Sequence, residues 1–311
     1  MTVRLAVTLG DPRGIGPEVV AKAARELRRT GEDVDLRFLG VDASASFPFP
    51  AESDPAFDGT LASAGTVSGA AVERAVALAL SGEVDAVVTG PIHKPALRAA
   101  GYPEPGHTEL LQRLTAVPTV GMLMAAERTR LGGSLRVLLA TTHIPLEEVP
   151  AAVTEALLVE QTRLLDRELR SGWAIDPPRI ALCALNPHAS DGGLFGDQEA
   201  RIMVPAVEAL RSAGIDVEGP LPADTVYSRA VAGGFDAVVA PYHDVGMAAF
   251  KTVSFGGGVN VTLGLPFPRT SPDHGTAFDL AGLDRADPRS TLEALRLAAR
   301  LARTRRGAPG L

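Results

Sequence analysis

The segment VRLAVTLGDPRGIGPE, residues 3–18, joins an apolar run to a glycine-rich turn and then to a helical pattern. Such a strand, turn and helix is the opening unit of many α/β folds. A dinucleotide-binding turn has the pattern G-x-G-x-x-G, but in the register that starts at Gly14 the third glycine is replaced by Val19. Pro17 also removes a backbone N–H that a phosphate would need. The turn is therefore either a plain connection or a loop that lines a site.

The same alternation continues along the chain and predicts an α/β fold with a largely parallel sheet. Apolar runs rich in Val, Ile and Leu on both parities indicate strands that are covered on both faces. The predicted strands are 3–9, 34–39, 86–89, 135–141, 180–185, 237–240 and 259–263. The predicted helices are 17–27, 68–80, 153–169, 200–213 and 292–303, and the proline-rich segment 47–59 is predicted to be a loop.

Composition limits the function classes. The 311 residues are 46% hydrophobic and 22% charged, as in ordinary folded proteins, and they suffice for two medium lobes. The formal net charge of -7 argues against a nucleic-acid surface. No apolar stretch has the length of a membrane span, and the N-terminus lacks the layout of a signal peptide. Together with the single cysteine, Cys183, which is expected to be a small buried side chain, these features predict a cytoplasmic protein with no membrane or nucleic-acid partner.

Three of the six histidines follow apolar strands. His143, His188 and His243 each lie in a loop a few residues beyond a predicted strand. Parallel strands end at one edge of a sheet, so these imidazoles could converge on a metal ion such as zinc, cobalt, manganese or iron. The spacing is not local, however, and each histidine could also be an ordinary hydrogen-bonded loop residue. Asp244 is either a group that orients an imidazole or a solvated charge.

The segment 242–282 is rich in polar residues and glycine. Lys251 and Arg269 are cations among apolar residues, which favours contact with an anion, although solvated side chains are equally compatible. Asn260 interrupts an apolar strand and is either a buried amide with backbone partners or a ligand-binding group. Upstream, His107 and Thr108 precede a helical pattern, where Thr108 is expected to be the N-cap.

Eight motifs in a fixed order resemble the 4-hydroxythreonine-4-phosphate dehydrogenase family of pyridoxal phosphate biosynthesis. They are GDPRGIGPE, TGPIHKPAL, PGHTELL, TTHIPL, LNPHASDGG, GPLPADTVY, PYHDVG and NVTLGLPFPRTSPDHGTAFDLAG. Each motif is weak by itself, but the ordered set covers nearly the whole chain. The resemblance implies a two-lobed α/β fold of the isocitrate and isopropylmalate dehydrogenase type with an interlobe cleft. The expected lobes are 1–118 with 266–311 on the cofactor side, and 119–265 on the metal and dimerisation side.

The resemblance also implies a set of site residues. The metal ligands would be His143, His188 and His243, with one divalent ion (Zn, Mg, Co or Mn) in each active site. A homodimer would share its active sites, and the partner would supply the third histidine.

The implied substrate ligands are His107, Thr108, Lys251, Asn260 and Arg269. Candidates for contact with NAD or NADP, a weaker assignment, are His274, Gly275 and Asp279. Candidates for proton transfer or orientation are Lys251, Asp224 and Asp244. Burial would lower the pKa of Lys251 and so suit it to proton transfer, but this lysine could instead bind an anionic group.

The implied reaction is the NAD(P)-linked oxidation of 4-phosphohydroxy-L-threonine to a β-keto acid. That acid would lose carbon dioxide to give 3-amino-2-oxopropyl phosphate, with the metal as Lewis acid.

The chain departs from the family pattern at three places. Val245 stands where a glutamine is common, Arg13 replaces a small residue, and the region between Val41 and Ser68 is short. The substrate could therefore be a related phosphorylated sugar acid such as 4-phospho-threonate. Alternatives from other classes are a metal-dependent lyase or aldolase without nicotinamide, and a non-catalytic binding protein on the same fold.

Overall fold

The structure is a computed structural model that describes residues 2–307. Its strands are β1 Val3–Thr8, β2 Val34–Leu39, β3 Ala51–Glu52, β4 Ala86–Thr89, β5 Gly121–Ala126, β6 Leu135–Leu139, β7 Ile180–Cys183, β8 Val217–Leu221, β9 Ala237–Ala240, β10 Val259–Leu263 and β11 Arg269–Pro272. Its α-helices are α1 Gly16–Arg29, α2 Leu61–Leu80, α3 Lys94–Ala99, α4 His107–Thr115, α5 Val149–Ala152, α6 Glu155–Trp173, α7 Val204–Ser212, α8 Ala223–Val231, α9 His243–Ser254 and α10 Arg289–Gly307.

The chain divides into two compact units. Unit 1 comprises the described parts of Met1–Val120 and Val259–Leu311, and unit 2 is Gly121–Gly258. The predicted lobes instead place the second break between residues 265 and 266, after β10. In the structure β10 belongs with unit 1, where Val259 to Thr262 pair antiparallel with Pro272 to Arg269 of β11.

Pairing within each unit is mostly parallel, as the sequence predicts. Unit 1 has the strand order β3-β2-β1-β4-β11-β10, and unit 2 has β5-β6-β9-β7-β8. Only the β10–β11 and β5–β6 pairs among these are antiparallel. The buried residues include most of β1, β4, β6, β7 and β9, which explains their continuous apolar sequences.

All seven predicted strands and all five predicted helices are present, and the structure adds others. The strands that the sequence did not indicate are β3, β5, β8 and β11. β3 is a two-residue strand inside the segment predicted to be a loop. Helix α2 begins earlier than predicted because Thr60 caps it, accepting the Ser63 N–H at 3.1 Å. Helix α6 begins later than predicted because Thr154 caps it, accepting the Leu157 N–H at 3.2 Å.

Two further expectations concern single features. Cys183 is fully buried in β7, and this burial raises the pKa of its thiol to about 12. Among the described residues, no helix combines the length and apolar character that crossing a membrane requires.

The first glycine-rich turn is held tightly against the end of β4. Gly10 has φ +78°, and a β-carbon at this residue would lie 2.2 Å from the Pro91 carbonyl oxygen. The Asp11 N–H donates to that oxygen at 2.9 Å, and the Gly90 N–H donates to the Thr8 carbonyl at 2.9 Å. Only glycine fits at position 10, since both the backbone conformation and the contact exclude a side chain.

Replacing Gly10 by alanine should therefore lower the free energy of unfolding by more than about 3 kcal/mol, because steric overlap adds to the unfavourable φ. Gly31 provides the control, since it has φ +70° and a β-carbon there would have nothing within 4 Å. Gly31→Ala should cost only about 1 to 2 kcal/mol. Urea unfolding of both variants checks this, and equal losses would contradict the proposed role of the Pro91 contact.

Candidate active site

Two histidines of unit 2 are brought together where β6 and β9 end. The Ala140 N–H donates to the Ala240 carbonyl at 2.9 Å, and the Thr141 N–H and Oγ1 donate to the Pro241 carbonyl at 3.2 and 2.8 Å. These bonds continue the parallel pairing beyond the strands. The His143 and His243 rings follow, with their centroids 5.3 Å apart.

The His243 ring is oriented by its neighbour. His243 is the first residue of α9, and its Nδ1 lies 2.7 Å from Asp244 Oδ1. A carboxylate at one imidazole nitrogen fixes the tautomer and leaves the other nitrogen available to a metal. Asp244 itself is largely exposed, with 87% of its side chain accessible.

His188 lies in a different setting. It occupies a loop after β7, and it lines a cavity of about 330 Å³ together with Asn186, Asp224 and Tyr242. Burial raises the pKa of the Tyr242 hydroxyl, which favours its neutral form. Asp224 is an exposed residue in the first turn of α8. The cavity therefore combines an imidazole, a carboxylate, an amide and a phenol.

One chain brings two of the three predicted metal ligands close together, and the metal site stays a prediction. His143 and His243 have the donor chemistry and the spacing for two ligands of a single divalent ion. Within residues 2–307, however, no group of three His, Cys, Asp or Glu side chains is arranged to hold a metal. A single chain therefore provides a pair of imidazoles rather than the convergent set of three that the strand ends suggested.

Lys251 differs from expectation in its environment. It lies near the end of α9 and is exposed, so the described residues of this chain do not bury it. Within one chain, therefore, Lys251 does not have the burial that would suit it to proton transfer.

Unit 1 contains a buried cation with no counter-ion. Arg269 is 1% exposed at the start of β11, and it donates to the hydroxyls of Thr89 on β4 and Thr262 on β10. No carboxylate in the described part of the chain pairs with it, and its Nε has no hydrogen-bond partner. Burial lowers the pKa of Arg269 to about 9, which still leaves the guanidinium charged at neutral pH. A buried charge of this kind is stable only if something else neutralises it, and an anionic ligand would do so.

Other buried polar atoms of unit 1 also lack hydrogen-bond partners. Two of them, Nε2 of His107 and Oδ1 of Asn260, belong to predicted substrate ligands. His107 as a residue is half-buried, but this ring nitrogen is inaccessible. Burial, then the charges of Arg269 and Lys94, hold the pKa of His107 well below its usual value of 6.5. Unsatisfied buried polar atoms are rare in native proteins, so these groups are suited to a polar ligand.

The N-cap assignment for Thr108 is wrong. Helix α4 begins at His107, its N-cap is the extended Gly106, and no side chain caps it. Thr108 is therefore the second residue of the helix, where its N–H is one of the free donors of the helix start.

The candidate cofactor loop packs on the first glycine-rich turn. The Ile15 N–H donates to the Thr276 carbonyl at 2.9 Å, and a β-carbon at Gly14 would approach the same oxygen to 2.8 Å. In this loop Gly275 and Asp279 are exposed, while His274 Nε2 is buried without a partner. The sequence did not indicate that the two loops are in contact.

Arg13, which departs from the family pattern, has a structural explanation. Its Nε and Nη2 donate to both carboxylate oxygens of the fully buried Asp11 at 2.9 and 2.7 Å. Its guanidinium also lies 5.3 Å from the centroid of the Phe278 ring and 3.4 Å from His93 Nδ1. Arg13 therefore neutralises Asp11 and braces the loop that contains Phe278.

Glu199 is a site residue that sequence reasoning missed. It is buried beside the loop of His188 and accepts hydrogen bonds from it. Its sequence, in the run DQEAR, looks like the start of an ordinary solvated helix, so no local signal marks it.

The fold places the chain in a known structural class. Isocitrate dehydrogenase from Methylococcus capsulatus superposes with a TM-score of 0.51 at 17% identity, over 98% of this chain and 92% of that one. This likeness confirms the predicted isocitrate dehydrogenase-like α/β fold. Residues 22–298 match the family described as pyridoxal phosphate biosynthetic protein PdxA, and the chain belongs to that family.

Individual relatives agree with this membership. A Chromobacterium violaceum protein named 4-hydroxythreonine-4-phosphate dehydrogenase is 44% identical, covering 96% of each chain. The crystal structure of the enzyme of the same name from Klebsiella pneumoniae has a TM-score of 0.80 and 37% identity, covering 97% of this chain and 98% of that one. A Cupriavidus necator relative named D-threonate 4-phosphate dehydrogenase is 42% identical, over 97% of this chain and 98% of that one.

The buried Arg269 generates a binding prediction. Inorganic phosphate should stabilise the protein by about 2.7 kcal/mol at a concentration 100 times its Kd. Arg269→Met should remove most of this gain, since the variant has no buried charge to neutralise. Arg136→Met is the matched control, because Arg136 is also buried but is paired with Glu127 at 2.9 Å. Thermal unfolding with and without phosphate checks both, and an undiminished phosphate effect in Arg269→Met would contradict an anion site at this residue.

His107 generates a pH prediction. Its pKa is lower in the folded protein than the ordinary 6.5, so below about pH 6.5 the unfolded chain binds a proton that the folded chain does not. The stability that the neutral ring contributes should be fully present above pH 7 and decline as the pH falls below about 6.5. The unfolding free energy of wild type minus that of His107→Gln, measured by urea titration from pH 8 to 5, should decrease accordingly. A pH-independent difference would contradict the lowered pKa.

Proposed function

We propose that the protein is a metal-dependent, NAD(P)-linked dehydrogenase that oxidises 4-phosphohydroxy-L-threonine in pyridoxal phosphate biosynthesis. In this reaction the carbon that bears the secondary hydroxyl would lose a hydride, for which a bound nicotinamide would be the acceptor, and the hydroxyl proton would go to a base. The resulting β-keto acid breaks its bond to the carboxylate and releases carbon dioxide. The electron pair left on carbon then takes a proton, which gives 3-amino-2-oxopropyl phosphate. The relatives' names support the substrate, and the single structural observation that carries the proposal is the buried Arg269 without a counter-ion.

Unit 1 supplies groups for the phosphorylated end of such a substrate. Arg269 would neutralise an anionic oxygen, with a planar guanidinium already held by two threonine hydroxyls. The neutral His107 ring can donate or accept at its unpartnered Nε2, and Asn260 Oδ1 can accept from a donor on the substrate. Thr108 contributes its hydroxyl and an N–H from the helix start. We propose Lys251 separately as an exposed side chain that binds an anion.

We propose that His143, His188 and His243 bind one divalent ion, which would be Zn, Mg, Co or Mn. The ion would supply Lewis acidity at the hydroxyl oxygen of the carbon that is oxidised. The pair of rings 5.3 Å apart and the Asp244 carboxylate on His243 support this assignment. Because one chain does not group three ligands among its described residues, we propose a homodimer in which the partner completes each site.

The carboxylates differ in their suitability for proton transfer. Asp244 already bonds to His243 Nδ1, so we assign it to orienting that imidazole. Asp224 shares a cavity with His188 and is the better candidate for moving a proton, with Lys251 as the alternative. We assign contact with the nicotinamide cofactor, NAD or NADP, to the loop with His274, Gly275 and Asp279, where the buried His274 Nε2 lacks a partner.

We place the enzyme in the cytoplasm, since a single buried thiol is compatible with a reducing compartment.

A second candidate substrate is D-threonate 4-phosphate. It is favoured by the relative of that name, which is 42% identical. The two substrates share the phosphate and the hydroxyl to be oxidised, and they differ in an amino group against a hydroxyl. The groups that hold the phosphate therefore do not discriminate between them.

A direct assay tests the proposal. Purified protein with Mg²⁺, Zn²⁺ or Co²⁺, NAD or NADP and 4-phosphohydroxy-L-threonine should produce reduced nicotinamide, followed at its absorbance band, together with carbon dioxide. We expect kcat/KM for this substrate to exceed that for D-threonate 4-phosphate by at least about tenfold. Chelation of the metal should abolish turnover, and adding it back should restore turnover.

The opposite preference would select D-threonate 4-phosphate as the substrate. Carbon-carbon cleavage of either substrate without nicotinamide would identify a lyase. No turnover of any phosphorylated hydroxy acid, with metal and either cofactor present, would refute the dehydrogenase.

A further inference from the structure

The loop that holds His188 has an unusual backbone. His188, Ala189, Ser190 and Asp191 have φ values of 53°, 55°, 66° and 45°, and Gly192 continues the run at 68°. A side chain with a β-carbon is unfavourable in this left-handed region because it approaches the following carbonyl oxygen. Four such residues in succession persist only where the surroundings hold them in place.

One buried carboxylate supplies that hold. Glu199 Oε1 accepts the N–H groups of Leu185 at 2.9 Å and Asn186 at 2.7 Å. Its Oε2 accepts from the Asn186 side-chain amide at 2.9 Å and from the Ser190 hydroxyl. The bonded residues lie on both sides of His188, so Glu199 spans the part of the loop that presents the imidazole.

No cation pairs with this carboxylate among the described residues. Glu199 is 4% exposed, and within residues 2–307 no Lys, Arg or His forms an ion pair with it. Burial alone would raise its pKa, but the hydrogen bonds from Ser190 and Asn186 outweigh burial and lower it. An ionised carboxylate accepts hydrogen bonds only, and four donors of the segment 185–190 bond to this one.

The carboxylate is itself attached to a rigid base. Glu199 opens a turn of π-helix, Glu199–Met203, which runs directly into α7. Ile202 and Met203 of that turn are buried, so the turn is anchored in the core. π-helical turns often mark functional sites, because they redirect a side chain out of the regular helical order.

We propose that Glu199 is a positioning residue, which fixes residues 185–190, stabilises the left-handed backbone that begins at His188 and so sets the direction of the His188 imidazole. Its relevance to catalysis rests on the proposed role of His188 as a metal ligand. Its hold on the loop does not depend on that role, and the two can be measured separately.

The test compares Glu199→Gln with Glu208→Gln, a glutamate on the surface-facing part of α7 that serves as the control. The glutamine side chain has the size and shape of glutamate, but its NH₂ group replaces one of the two acceptor oxygens. That NH₂ group would face a donor of the loop instead of accepting a hydrogen bond from it. Amide hydrogen exchange of residues 185–195 in the metal-free protein should accelerate at least about tenfold in Glu199→Gln, and protection elsewhere should be unchanged.

The second measurement uses Co²⁺ alone as probe. Its Kd should rise at least about tenfold in Glu199→Gln, with an altered visible absorption band, and it should be unchanged in Glu208→Gln. In the Glu199→Gln background, Ala189→Gly should recover part of the affinity, because glycine accepts the left-handed conformation without strain. If Glu199 only stabilised another part of unit 2, Ala189→Gly would not restore the Co²⁺ affinity of Glu199→Gln. Near-ultraviolet circular dichroism of Trp173 verifies the fold, and Ser190→Ala offers a milder variant if Glu199→Gln does not fold.

Wild-type exchange and wild-type Co²⁺ affinity in a folded Glu199→Gln would overturn the proposal. His188→Ala separates it from the proposed function. If His188→Ala binds Co²⁺ as wild type does, the metal role of His188 fails, and the exchange measurement still decides whether Glu199 holds the loop. Suppose that His188→Ala loses Co²⁺ binding, whereas Glu199→Gln shows faster exchange in the loop but binds Co²⁺ as wild type does. The positioning role of Glu199 is then refuted, and the metal role of His188 stands.

Discussion

Parallel strand pairing is the constraint on which the metal-side geometry depends. Two parallel strands end at the same edge, so whatever follows them in sequence begins side by side. In unit 2 the pairing of β6 with β9 continues through the bonds of Ala140 and Thr141 to Ala240 and Pro241. His143 and His243 are far apart in sequence, yet their rings are neighbours because only a short stretch separates each from this shared ladder.

Two buried charges differ in how their loss of hydration is compensated. Glu199 is satisfied by donors from one loop, so its burial supports a conformation. Arg269 retains two hydroxyl partners, an unpartnered Nε and no counter-ion in the described chain, so its burial favours a ligand. The protein would be more stable with an apolar residue in place of Arg269. We therefore interpret the buried cation as a group that is present to bind an anion.

Much of the architecture could be predicted because its signals are local. The seven apolar runs became strands, and the five periodic segments became helices, since a covered strand or an amphipathic helix is recognisable from its own residues. β11 could not be predicted, because Arg269–Pro272 is polar and becomes a strand only by pairing with β4 and β10. β5 contains methionine and alanine rather than β-branched residues, and its pairing with β6 decides its conformation.

The sequence by itself determined the α/β class, the strand ends at which the three histidines emerge, and the ordered motifs that resemble the family to which the chain belongs. Only the tertiary structure decided that His143 meets His243, that Arg13 neutralises Asp11, that Arg269 is buried without a counter-ion among the described residues and that Glu199 holds the loop of His188. The physical reason is range. Propensity and periodicity act over a few residues, whereas burial and charge pairing depend on which distant segments the fold brings into contact.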